Sequence, residues 1–244
     1  MVLPVIHPRK RSAGFTLVEL LAVIAIMILI LGAAGAALMP SNRTMQLSSV
    51  SLQIKGYLDQ GRQLALSRNR YVQVRFYHKT TDNDPKTNVP YYSAIGLFSA
   101  DSPYYGTGTS DYDTYIQKNQ MYQAAPVLFL DPSTGIPSPS DGKISSLLND
   151  LGNDQYFTRK VQSDKLRGQP GQYDWVSFYY MPNGTTDFQT LSIGATGPGS
   201  YDPKSAFFSL IMRNEYQRDT TKIPSDFFTF YLPPSTGRAV ILRP

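Results

Sequence analysis

The chain has 244 residues, 41% of them apolar and 17% charged, with a formal net charge of +5. Cysteine is absent and only His7 and His78 are histidines, which excludes disulfides and thiolate chemistry and nearly excludes a histidine metal cage or catalytic triad. Seventeen Tyr and twelve Phe argue for a folded, β-rich body rather than a disordered chain.

The basic residues Arg9, Lys10 and Arg11 form a short leader that ends in Ser12-Ala13-Gly14. An apolar run starts abruptly at Phe15 and continues to Met39, with no charged residue from Leu20 to Asn42. About 25 residues at about 1.5 Å each make a helix of roughly 37 Å, enough for a hydrocarbon layer of about 30 Å. The apolar core of a cleaved secretory signal is shorter, about 7–15 residues. Two plainer readings stay open: a signal-peptidase site within Ala33–Ala37, or a simple signal anchor. Basic residues ahead of the run predict a cytoplasmic leader.

Glu19 stands inside this apolar run. A carboxylate there is costly unless it lies near the interface or is paired, so it is a functional candidate. A cut after Gly14 would give Phe15 a new ammonium, one helical turn from Glu19. A neighbouring subunit's terminal amine could then pair with Glu19 and set axial register. Glu19 as a merely interfacial residue is the alternative.

The segment Gly14-Phe15-Thr16-Leu17-Val18-Glu19-Leu20 resembles the class III signal of type IV prepilins and type II secretion pseudopilins. The resemblance implies cleavage after Gly14 by prepilin peptidase, N-methylation of Phe15, and Glu19 as the acid that guides assembly. It also implies other pilin or pseudopilin subunits and an inner-membrane assembly platform as partners, with the leader inside and the head extracytoplasmic. Loss of the leader would leave 230 residues with a formal charge of about +2, so much of the basic character belongs to the leader.

Beyond the apolar run, Pro40-Ser41-Asn42 predicts a kink or short break. An amphipathic helix is expected from about Ser41 to Asn69. Leu47, Val50, Ile54, Leu58 and Ala65 form its apolar face, with Gln46, Lys55, Asp59 and Arg62 off that face. A sheet of the same chain is the expected packing surface, and a coiled-coil partner is the alternative.

Strands are expected at Tyr71–Tyr77, Tyr91–Ser99, Trp175–Met181, Ala206–Arg213, Phe227–Leu232 and Gly237–Leu242, with a loop over Thr80–Pro90. Asn183-Gly184 marks a hairpin turn, lengthened by Pro182, into a run from Thr185 to Ile193. Between Ala100 and Tyr173 the chain is rich in Tyr, Gly, Pro, Ser and Asp; one short helix is expected over Asp141–Leu151, ended by Gly152. The helix end at Gly61-Arg62, the Phe178…Pro182-Asn183-Gly184 segment and the Ser235-Thr236-Gly237-Arg238 turn are similar to GspH/FimT-type minor pseudopilins. That resemblance implies a small β-sandwich head on a spine helix; the long middle region departs from it. A broader similarity is to large prepilin-like cassette proteins.

Other chemistries are weaker. Asp101, Asp111 and Asp113 could offer oxygens to Ca²⁺, but a calcium loop needs more ligands at fixed spacing. The tyrosines at 91, 92, 104, 105, 112, 115 and 122 could stack on sugars or bases, or simply pack. Arg213, Arg218, Lys222, Arg238 and Arg243 make the C-terminal end basic, but Glu215, Asp219 and Asp226 are mixed among them, so nucleic-acid binding is a secondary reading. No phosphate-binding loop, nucleophile elbow or zinc-protease motif occurs, and His78 reads as a strand-end surface residue.

The expectation is therefore an α+β subunit with no catalytic role, cofactor or metal. Its parts are a cleaved leader (1–14), a transmembrane and assembly helix (15–39), an amphipathic continuation (40–69) and a β-rich head (70–244) with a loop-rich insertion at about 100–173. The alternatives are a tip module that binds DNA or an exported substrate, and a plain membrane-anchored envelope protein.

Overall fold

The computed structural model describes residues 16–81, 91–103, 120–137, 162–166, 168–187, 206–216 and 224–243, without the side chains of 33–42, 162–164 and 215–216. Two compact units divide the chain, Met1–Thr44 and Met45–Pro244. The first contributes the opening part of helix α1, which is assigned over Leu17–Arg68. The helix assignment continues through Pro40, so of the expected kink or short break the break does not occur.

In the second unit, α1 ends at Arg68 because Asn69 turns left-handed, with φ 50°. The Arg70 amide then donates to the Ala65 carbonyl at 3.2 Å, the six-to-one bond of a Schellman cap. Among the described residues eleven strands follow: β1 (Val72–Lys79), β2 (Tyr91–Tyr92), β3 (Ala94–Ala100), β4 (Met121–Gln123), β5 (Leu128–Phe129), β6 (Thr134–Pro137), β7 (Gln162–Asp164), β8 (Tyr173–Tyr180), β9 (Phe207–Met212), β10 (Phe227–Tyr231) and β11 (Val240–Leu242). A one-turn helix, α2 (Arg213–Tyr216), follows β9. One sheet has the order β4-β3-β1-β8-β7, with β5 also on β3; the other has the order β11-β10-β9-β6-β2. Among the described residues every strand pairing is antiparallel.

One core joins both sheets to α1. The helix supplies Leu47, Val50, Ile54, Leu58 and Ala65, the five residues whose three- and four-residue spacing marks its apolar face. The first sheet adds Val72, Val74, Phe76, Val176 and Phe178, and the second adds Phe208, Leu210, Phe228 and Phe230. Phe76 meets Phe208 edge-on at 5.2 Å between ring centres, so the sheets touch through aromatic side chains. Gly61 marks the helix's close approach: a Cβ there would stand 2.9 Å from Leu97 Cδ2.

The expected strand Tyr91–Ser99 divides at Ser93. Tyr91-Tyr92 joins one sheet as β2 and Ala94–Ala100 joins the other as β3. The remaining long strands lie close to their expected places. The hairpin turn forms at Pro182-Asn183-Gly184: Gly184 has φ 80°, its amide donates to the Met181 carbonyl at 2.8 Å, and Tyr180 bridges Thr186. The expected helix at 141–151 and most of the loop at 80–90 lie outside the described residues. Four short strands, β4 to β7, occur within the region expected to be loop-rich.

Candidate processing and assembly site

The N-terminal candidate site begins with the order of residue types. Thr16 precedes the first helical turn and Glu19 closes it. The Thr16 amide and hydroxyl each donate to Glu19 Oε2 at 2.9 Å, and the Glu19 amide donates to Thr16 Oγ1 at 3.3 Å. This is a reciprocal capping box, in which the acid satisfies donors that an α-helix leaves free at its start. Its carboxylate also faces the positive end of the helix dipole. Glu19 stands out in the sequence as an acid among apolar residues and Thr16 does not, although Thr-x-x-Glu ahead of an apolar run is the usual signal for such a cap.

Leu17, Val18, Leu20 and Leu21, and every large apolar residue from Val23 to Leu31, are exposed, between 45% and 77%. A contiguous exposed apolar surface of this kind is the usual mark of a membrane or protein contact. Among the described residues, no helix is long and apolar enough to cross a membrane. The described side chains of this stretch run only to Gly32, short of the roughly 20 residues a span needs. Arg9, Lys10, Arg11, Gly14 and Phe15 lie outside the described residues.

In the head, three sequence segments that are far apart come together. Arg62 Nε donates to the Gly184 carbonyl at 3.1 Å and to the Thr236 carbonyl at 2.7 Å. The Thr186 amide donates to the Pro234 carbonyl at 3.0 Å. Gly237 is left-handed, with φ 61°, and a Cβ there would lie 2.3 Å from the Gly184 oxygen. The end of α1, the Asn-Gly turn and the turn before β11 therefore form one junction, closed by an arginine and a glycine.

The weaker candidates separate. His78 is buried, not a surface residue: it lies cross-strand from Asp174, with Nε2 3.9 Å from Oδ2, and its ring meets Tyr92 edge-on. The alternation of β1 hides this because both of its faces are covered; Gln73, on the face opposite the main core, donates to Ser177 Oγ and the Tyr179 hydroxyl at 2.9 Å each. Tyr91 and Tyr92 are core residues, whereas Tyr122 is exposed. Burial holds the Tyr92 phenol well above its ordinary range, with Asp174 adding to the effect. Tyr104, Tyr105, Tyr112, Tyr115, Asp111 and Asp113 lie outside the described residues. Among the described residues, no group of three or more His, Asp or Glu could hold a metal ion.

The described members of the basic C-terminal set differ in their surroundings. Arg213 lies over the Tyr91 ring at 4.9 Å, Arg243 pairs with Asp226 at 3.5 Å, and Arg238 is exposed; Arg218 and Lys222 lie outside the described residues. No curated protein and no solved structure matches the chain. Residues 9–35 match the family model of the prokaryotic N-terminal methylation motif, which supports a type IV prepilin- or pseudopilin-like protein.

Proposed function

We propose that the chain is a structural subunit of a pilin-like filament, of the minor pseudopilin type. The match of residues 9–35 to the methylation motif carries this reading. Prepilin peptidase cuts after Gly14, Phe15 is N-methylated, and the leader with Arg9, Lys10 and Arg11 stays cytoplasmic. Residues 15–39 hold the precursor in the inner membrane, residues 40–69 continue the spine, and the head at 70–244 is extracytoplasmic. The exposed apolar residues from Leu17 to Leu31 support this division, because they need a lipid or protein environment that the single chain does not supply.

In this reading the subunit performs no chemistry. Glu19 has two successive tasks: in the free chain it caps its own helix through Thr16, and in the filament it faces the terminal amine of a neighbouring subunit. An assembly platform and other pilin-type subunits supply the surfaces and the work of extraction. The GspH/FimT-like arrangement is supported by the junction of Arg62, Gly184 and Gly237. Glu19→Ala tests the proposal. Expected is a processed protein with a folded head that no longer enters filaments, read by co-sedimentation with sheared filaments. Normal incorporation of Glu19→Ala would remove the assembly role.

A further inference from the structure

The second sheet has one face in the core and one face away from it. Phe208, Leu210, Phe228, Phe230 and Ile241 point into the core or pack against it. On the opposite face, the pairings align three rows: Ile211 with Phe227, Ser209 with Thr229 and Leu242, and Phe207 with Tyr231 and Val240. The first row is covered, packed with Tyr91. The other two open progressively toward β11, where Val240 is 41% exposed and Leu242 is 52% exposed. Among the described residues, β11 pairs only with β10 and carries no strand on its outer edge.

The charges beside this face are unequal. Arg243 is matched by Asp226 at 3.5 Å. Arg238 is exposed, and its backbone amide donates to Thr236 Oγ1 at 3.4 Å. The burial alternation from Arg238 to Leu242 places Arg238, Val240 and Leu242 on one side of the chain. A second copy of β11 set antiparallel on this edge would bring two arginine-flanked strands together, and like charges across strands are unfavourable.

We propose that β11 and the outer face beside it form a docking edge for an extended segment of another protein, with apolar residues at alternate positions and a carboxylate opposite Arg238. Backbone groups of β11 supply strand addition, Val240, Leu242 and Tyr231 supply apolar contact, and Arg238 selects for acid. The proposal does not depend on processing or filament entry, so either can fail without the other.

The test uses the full chain in detergent micelles and two dye-labelled probes, Ac-Glu-Val-Thr-Val-Thr-Val-Glu-NH2 and its counterpart with lysine at both ends, read by fluorescence anisotropy. The acidic peptide is expected to bind several-fold more tightly, about three- to tenfold at low salt. Arg238→Glu should reverse that preference, and Val240→Asp should abolish binding while circular dichroism shows an intact head. Equal binding of both peptides unaffected by Arg238→Glu, or no binding of either, would overturn the proposal. Self-association of the chain that Val240→Asp removes would assign the edge to a second copy and overturn it equally.

Discussion

Two stretches of α1 are both rich in apolar residues and meet opposite fates. From Leu17 to Leu31 the apolar residues are continuous and exposed. From Leu47 to Ala65 they recur every three or four residues and are buried against two sheets. A helix that is apolar all round cannot be covered by one neighbouring layer, whereas a single apolar stripe can. The second stretch is therefore satisfied within the chain, and the first is left exposed in it.

Core truncation should separate the two stretches most sharply. Phe76→Ala should destabilise the head by about 3–5 kcal/mol in urea unfolding, because Phe76 is fully buried among Phe178, Phe208 and Tyr92. Ile28→Ala should leave the same transition within about 0.5 kcal/mol, since Ile28 is 65% exposed. Equal losses for both would erase the distinction.

The junction between helix and turns comes next. Gly237→Ala combines a left-handed backbone with a clash against the Gly184 oxygen, and should cost about 2 kcal/mol or more. Arg62→Ala removes donors from two carbonyls and should cost about 1–3 kcal/mol by the same unfolding measurement. At the N-terminus, Thr16→Val should raise amide hydrogen exchange in the first turn of α1 by an amount equivalent to about 0.5–2 kcal/mol, with Thr16→Ser close to wild type. Head stability should not change.

The smallest effect is in alkali. Burial pushes the Tyr57 hydroxyl up to about 12. The folded state thus holds this proton more firmly than the unfolded chain does, so its contribution is fully present below pH about 10 and is lost as pH rises toward about 12. Tyr57→Phe should flatten the alkaline limb of the stability profile.

Much of this arrangement is legible in the residues. Clean alternation locates β1, short runs rich in aromatic and apolar residues locate β8, β9 and β10, and the helical spacing identifies the buried face of α1. The run from Tyr91 to Ser99 misleads because it is apolar on both faces, so nothing in its pattern marks the change of sheet at Ser93. Strands β4 to β7 are two to four residues long, too short to display a period. At the N-terminus, Glu19 stands out because it is an acid among apolar residues. Its partner Thr16 is inconspicuous without the geometry of the cap. The Arg62 junction joins residues up to 174 positions apart, a distance that local pattern does not encode.

The central claim is that residues 9–35 mark a processed, filament-forming end. Mass spectrometry of the N-terminal peptide of the membrane-extracted native protein tests it most directly. The account predicts a peptide that begins with N-methylated Phe15. A start at Met1, or near Ala37, would contradict it and return the chain to a plain anchor or a secreted β-domain.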